Sequence, residues 1–251
     1  MAFIGNNYIK LDLVDSTNNY AMAQIHAGLT SHGFVYIARQ QTAGKGQRGK
    51  TWNTHLDESL IMSVVLQPHS SLYSNKFILS AAIAVACHDF TSIYAGNNTK
   101  IKWPNDIYWN DRKAGGILIE NILQGSEWKY AVVGIGLNIN QNAFSEPLKN
   151  AVSFKQITGK DWDIFQLIEQ LCKNLEARYQ QAISQPEQLF KEYCKHLYKL
   201  NEEVLLRYNN IVFKTIIKSV NREGKLITEN AHKEDFNPGE LEWLPEENKS
   251  T

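Results

Sequence analysis

The chain has 251 residues, of which 43% are hydrophobic and 21% charged; that supplies a core for one large domain, or for a domain carrying a small module. The formal net charge is zero, which argues against a broad nucleic-acid or anionic-membrane surface, since either needs a basic field. Three scattered cysteines, Cys87, Cys172 and Cys194, form no CxxC or Cys/His metal spacing and are expected as reduced thiols of a cytoplasmic protein.

Residues 1–5 lack the basic start and apolar stretch of a signal peptide, and the longest apolar run, Ile78 to Cys87, is too short to span a bilayer. Residues 8–14 alternate as a first strand. Asp15-Ser16-Thr17-Asn18 offers capping side chains ahead of a helix starting near Tyr20. Gly33 to Arg39 reads as a second strand. Residues 41–54 hold Gly, Lys, Arg, Thr and Asn with almost no apolar content, a loop longer than most connections. Ser59 to Leu66 is a strand. Ser74 is placed to cap a helix whose apolar face is Leu79, Ala82, Ile83, Ala86 and Phe90.

Strands at Lys100–Lys102 and Ile107–Trp109 flank Trp103-Pro104-Asn105-Asp106, where proline points to an edge or a bulge. Ile117–Leu123 and Tyr130–Asn138 pair across a turn at Gly125-Ser126. Asp163 and Gln166 resemble a capping box before a helix with the stripe Ile164, Leu167, Ile168, Leu171 and Leu175. A further helix starts near Pro186 and runs towards His196. From Asn201 the texture changes. A hairpin over Val204–Tyr208 and Ile211–Val220, turning at Asn209-Asn210, precedes short strands at Leu226–Thr228 and Leu241–Leu244. The tail after Pro245 is polar and expected to fray.

Two stretches carry the chemistry. The run Asp111-Arg112-Lys113-Ala114-Gly115-Gly116-Ile117 sets one cation beside paired glycines at the mouth of an apolar strand. Glycine pairs weaken strands and mark a close approach of ligand or backbone, so the pattern predicts an anionic small molecule against bare main chain, with Lys113 above it. The loop Gln41-Thr42-Ala43-Gly44-Lys45-Gly46-Gln47-Arg48-Gly49-Lys50-Thr51-Trp52 is either a solvated basic turn or a set of backbone N–H groups converging on an anion, with Trp52 to stack on a base or seal an apolar ligand. It lacks P-loop spacing. Ser16, Thr17 and Asn18 either cap a helix or hydrogen-bond a polar ligand head. Asn105 and Asp106 either decorate a rigid bulge or stand near phosphates and Mg²⁺. Gly134-Ile135-Gly136-Leu137-Asn138 is either a bulged strand or close packing beneath a ligand that Asn138 touches. No HExxH, nucleophile elbow or Cys–His pattern occurs, so orientation and charge stabilisation are favoured over protein-bound covalent catalysis.

In order and spacing, Ser16-Thr17-Asn18, the loop from Gln41 to Trp52, Lys102-Trp103-Pro104-Asn105-Asp106, Asp111 to Ile117 and Gly134 to Asn138 resemble the biotin–protein ligases. The resemblance covers about residues 8–140 by motif and the remainder by architecture. It implies an α+β fold: a mixed-sheet catalytic domain flanked by helices over 1–198, and a small SH3-like β barrel over 199–247. It implies ATP and biotin as substrates with Mg²⁺. Biotin is activated as biotinyl-5′-AMP and passed to a lysine on the carrier domain of a biotin-dependent carboxylase. By resemblance Ser16, Thr17, Asn18 and Gln41 hold the biotin rings, and the backbone of Lys45, Gly46, Gln47 and Gly116 holds its head and tail. Lys113 bridges carboxylate and α-phosphate, assisted by Arg48. Arg48, Lys50, Trp52, Asn105, Asp106 and Asn138 face the nucleotide together with Lys45.

The loop departs from the family's Gly-Arg-Gly-Arg-x-Gly-Arg: Lys45, Gln47 and Lys50 stand at its three arginine positions, and Gln47 brings no charge. The motif at residue 16 leaves no room for the DNA-binding helix-turn-helix of larger members, so an enzyme and not a repressor is expected, with no DNA and no membrane partner. Free strand edges near 100–140 and the C-terminal barrel are compatible with a homodimer. A lipoate ligase and a non-catalytic ligand-binding protein of the same fold are the alternatives.

Overall fold

The computed structural model describes residues 3–245 apart from 53, 230 and 232. Met1, Ala2, the tail beyond Pro245 and the last two residues of the expected C-terminal module lie outside that range. Chain order in the larger part is β1 (Tyr8–Val14), α1 (Thr17–His26), β2 (Val35–Gln41), β3 (Ser59–Leu66), α2 (Phe77–Ala95), β4 (Thr99–Lys102), β5 (Asp106–Trp109), β6 (Arg112–Gln124), β7 (Glu127–Asn138), α3 (Phe154–Thr158), α4 (Ile164–Ser184) and α5 (Pro186–Lys195).

One seven-stranded sheet runs β1-β2-β3-β7-β6-β5-β4. It is mixed: β1 lies parallel to β2, and every other neighbouring pair is antiparallel. β3 is buried at all eight positions because helices cover both faces, which is why its sequence is nearly unbroken apolar. The pleat sorts its side chains. Met62 and Val64 join Val133, Ile135 and the stripes of α2 and α4 in the main core. On the other face Val65 joins Tyr36, Val132 and Ala21 of α1, and Ser63 points the same way, towards Thr17 and Asn18.

α2 is long and apolar enough to cross a membrane by length alone, but twelve of its residues are buried against the sheet, α4 and α5, as in a core helix. Ser74 does not cap it. The helix begins at Phe77, with Lys76 at the cap position and no side-chain bond there. Asp163 caps α4 by accepting from Phe165 N and Gln166 N, while a reciprocal capping box forms at Ser153 and Gln156. β6 starts at Arg112, earlier than the apolar pattern suggests, so the glycine pair lies inside a paired strand. Pro104 sits in the turn between β4 and β5, and β4 is the sheet edge.

A second, five-stranded antiparallel sheet follows: β8 (Glu203–Tyr208), β9 (Ile211–Val220), β10 (Leu226–Glu229), β11 (Asp235–Phe236) and β12 (Glu242–Trp243), ordered β11-β10-β9-β8-β12. Asn209 and Asn210 both have positive φ, 49° and 66°, as a two-residue hairpin turn requires. This sheet is fastened to the larger part by Trp103 Nε1 donating to Gly224 O at 2.9 Å and by Phe77 lying against Gly224.

Candidate active site

A cavity of about 1380 Å³ opens between the α1 face of the large sheet, the loop after β2, the β4–β5 turn and the C-terminal sheet. It exceeds the roughly 300–1,000 Å³ of a typical small-molecule site, which leaves room for two reactants. Its two ends differ in chemistry.

The first end is lined by uncharged side chains, closed by hydrogen bonds that run back to the carboxylate of Glu120 outside the lining. Ser16 is buried at the cap position of α1, yet its side chain makes no capping bond. Gln41, at the end of β2, takes that place: its Oε1 accepts from Thr17 N at 2.7 Å and from Thr17 Oγ1 at 3.1 Å. Thr54 holds the Gln41 backbone, accepting from Gln41 N at 2.9 Å. Ser63 Oγ lies 2.7 Å from Thr17 Oγ1 and 2.6 Å from Asn18 Oδ1. Asn18 Nδ2 donates to Glu120 Oε2 at 2.7 Å. Gly134 makes this network sterically feasible, because a Cβ there would run into the Asn18 amide. Ser63, Thr54 and Glu120 carry no sequence signal; they become site residues only when strands far apart in sequence pair.

The second end is cationic. Lys113 Nζ reaches Asp106 Oδ1 at 2.6 Å, with both side chains half-buried. Gly116 lies beneath them, and a Cβ there would stand 3.3 Å from Asp106 Oδ1 and 3.4 Å from Lys113 Nζ. Its partner Gly115 has a different reason: a side chain would collide with Leu137 and with Gly136 O. The Lys113 backbone is pinned on both sides, its N donating to Asn150 O at 2.7 Å and its O accepting from Val152 N at 2.9 Å. Asn138 Nδ2 also donates to Lys113 O, at 3.2 Å, and to Val152 O, at 3.3 Å. Asn138 thus positions Lys113 through the main chain. Asn105 is likewise engaged with β6, its Nδ2 on Ile117 O and its own O accepting from Ile117 N.

The loop from Gln41 to Trp52 is a small hairpin and not an open coil. Gly46 N donates to Lys50 O at 2.7 Å, and Trp52 N to Gly44 O at 2.8 Å. Gly46 N is therefore turned inward, while Lys45, Gln47 and Lys50 line the cavity. The Trp52 ring lies on Gly136, where a Cβ would come within 2.6 Å of it, and 5.7 Å from Lys113 Nζ. Its Nε1 is buried without a hydrogen-bond partner, an orphan donor that a ligand acceptor would satisfy. Arg48, at a φ of 58°, turns away from Lys113 and donates to the carbonyls of Pro238 and Gly239. The structure thus gathers Ser16, Thr17, Asn18, Gln41, Lys45, Gly46, Gln47, Arg48, Lys50, Trp52, Asn105, Asp106, Lys113, Gly116 and Asn138 around one cavity. It turns the polar atoms of Arg48, Asn105 and Asn138 towards backbone. Among the described residues no group of three or more His, Cys, Asp or Glu is arranged to hold a metal ion.

Fold and cavity together define an α+β protein with a large cavity that has a hydrogen-bonded polar end and a cationic end. The chain matches the Biotin/lipoate A/B protein ligase family over residues 11–138 and belongs to that family. It is 32% identical over 180 residues to the bifunctional ligase/repressor BirA of Bacillus spizizenii, an alignment covering 70% of this chain and 54% of that protein. The chain spans about half the length of the BirA relatives it matches. It is 31% identical over 195 residues to the biotin–[acetyl-CoA-carboxylase] ligase of Mycobacterium tuberculosis, covering 75% of this chain and 71% of that one. The structure resembles that of the biotin protein ligase from Aquifex aeolicus in complex with biotin and ATP, with a TM-score of 0.80 at 24% identity, covering 95% of this chain and 100% of the other.

Proposed function

We propose that the protein is an ATP-dependent biotin–protein ligase. The observation that carries this is Lys113, a half-buried cation over bare Gly116, lining the same cavity as the hydrogen-bonding residues Thr17, Asn18 and Gln41. The neutral end, with Ser16, Thr17, Asn18 and Gln41, would take the uncharged ring head of biotin. Its carboxylate would then lie beside Lys113, whose ammonium would leave Asp106 to bridge the carboxylate and the α-phosphate of ATP. A carboxylate oxygen attacks the α-phosphorus, and the bond to the β-phosphate oxygen breaks. Pyrophosphate leaves, and a mixed anhydride, biotinyl-5′-AMP, remains. A lysine amine of a biotin carrier domain then attacks the acyl carbon, an amide forms, and AMP departs with the bonding electrons. Lys113 would stabilise charge in both steps, and Lys50 and the orphan Trp52 N–H supply further donors. Asp106 is the residue that would help hold a Mg²⁺ ion, which would offset the charge of the triphosphate.

The names carried by similar proteins support a carrier domain such as that of acetyl-CoA carboxylase as the acceptor. The balanced charge fits a cytoplasmic enzyme working on small anions. Residues 1–198 would form the catalytic unit and 199–247 an SH3-like module. Exchange of labelled pyrophosphate into ATP tests the whole. Biotin alone should support it. Exchange with lipoate alone would make the protein a lipoate ligase, and exchange with neither would make it a binding protein.

A further inference from the structure

Lys102, the last residue of β4, takes no part in the chemistry above. Its Nζ donates to Tyr108 Oη at 3.1 Å and lies 4.6 Å from the centre of the Tyr108 ring. Trp243 is 5.0 Å away and Tyr198 5.7 Å. The box has walls from separate parts of the chain: β5, the segment after α5, and β12 of the C-terminal sheet. Tyr198 also packs at a tilt against both other rings, at 5.0 Å and 5.8 Å between centroids. The neighbouring carboxylate, Asp106, is taken by Lys113. Lys102 makes no ion pair among the described residues; its hydrogen bond there goes to a phenol oxygen and its ammonium lies against π faces. Aromatic faces attract a cation without neutralising it.

Lys102 also lines the cavity, on the side of Lys50 and Lys113. That end therefore gathers three lysines around Asp106, while Asp111, the other carboxylate that acts on Lys102, already accepts from Tyr198 Oη at 2.7 Å. This is more positive charge than a carboxylate and a single phosphate would call for, and it is matched by a polyphosphate. We propose that Lys102 receives the terminal phosphates of the nucleoside triphosphate, and that Tyr108, Tyr198 and Trp243 hold it there, so that the C-terminal sheet helps select triphosphate over monophosphate. This rests on the ligase reading for the presence of a nucleotide in the cavity.

Burial is consistent with a cation awaiting an anion. Desolvation is the largest influence and pushes the Lys102 amine down to about 8. Asp106 and Asp111 oppose that shift, and Lys113 and Lys50 reinforce it. The hydroxyls of Tyr108 and Tyr198 are themselves pushed up by burial and stay neutral. The free protein thus loses the Lys102 charge above about pH 8, and a bound polyphosphate must restore the proton.

Calorimetric titration of ATP and of AMP into the whole chain tests this, using wild type, Lys102→Met, Lys102→Arg and Trp243→Leu. Lys102→Met keeps the apolar stem in its box and should weaken ATP binding by about tenfold or more while leaving AMP binding within about twofold. Lys102→Arg should recover most of the loss. Wild-type preference for ATP over AMP should decline above about pH 8, and Lys102→Arg should hold it constant, since arginine keeps its charge. Trp243→Leu should lower the same preference by a smaller factor. A box that merely glued the sheets together would cost stability in Lys102→Met and weaken both nucleotides alike, or neither, and either result overturns the proposal. Wild type that binds ATP with this preference but shows no biotin- or lipoate-dependent exchange would sink the ligase reading and leave the Lys102 assignment standing. Wild type that binds no ATP overturns both.

Discussion

The two ends of the cavity reach the same goal by opposite means. At the Thr17 end the network of Thr17, Asn18, Gln41, Ser63 and Glu120 is tightly hydrogen-bonded within the protein. At the Lys113 end, cations outnumber the carboxylate they share, and Lys102 is left with aromatic faces. A neutral pocket gains selectivity by being rigid, because side chains fixed by one another present their remaining donors and acceptors in set directions. A charged pocket gains by being unfinished, because its cations are worth most when an anion arrives in a site partly shielded from water.

That contrast can be broken in stages. The largest effect is expected from Lys113→Ala. It should lower biotin-dependent pyrophosphate exchange by roughly 10²–10³-fold, with little change in the unfolding midpoint, because the cation acts on developing charge and not on packing. An equal loss of activity and stability would make Lys113 a structural residue. At the neutral end the order reverses. Gly134→Val drives a side chain into the Asn18 amide and should cost about 1–3 kcal/mol in denaturant unfolding, with loss of biotin binding following from it. Ser63→Ala leaves the buried Asn18 Oδ1 without its donor, a cost of about 1–3 kcal/mol. It should raise the KM for biotin and leave that for ATP unchanged; a shift in both would mean the two ends are not independent.

A pH series sharpens the comparison from outside the cavity. Burial holds the His196 imidazole, whose ring centre lies 4.0 Å from that of His88, down to about 4 from an ordinary 6.5. Between those values the unfolded chain binds a proton that the folded chain refuses. Stability is therefore full above about pH 6.5 and falls as the pH drops towards 4. His196→Gln should flatten that slope in denaturant midpoints without touching exchange activity at neutral pH. The smallest effect is expected from Gln47→Ala, which removes no charge from the cationic end. A loss as large as that of Lys113→Ala would reassign the main anion contact to the loop.

Much of the frame was legible in the chain. β3 matches its apolar run residue for residue, the α4 stripe faces the core, and Asn209-Asn210 turns the hairpin, because pleat, helical period and backbone preference are local properties. The motifs that gather at the cavity were also visible as runs. Ser74 has capping chemistry but does not cap α2, because such chemistry recurs at many serines and only the actual helix start selects among them. The short α3 and β11 had too few residues to show a period.

The sequence alone determined that Lys113 stands beside Gly116, that a basic glycine loop precedes Trp52, and that net charge is balanced, since all of these are matters of adjacency and sum. Tertiary structure alone decided that Gln41 caps α1 in place of Ser16, that Asn138 steadies Lys113 through its carbonyl, that Arg48 faces the C-terminal sheet, and that Lys102 is boxed by rings from Tyr108, Tyr198 and Trp243. Each of those depends on which distant strands come to lie side by side. Pairing partners are chosen by burial summed over the whole sheet, a quantity that no short stretch of chain contains.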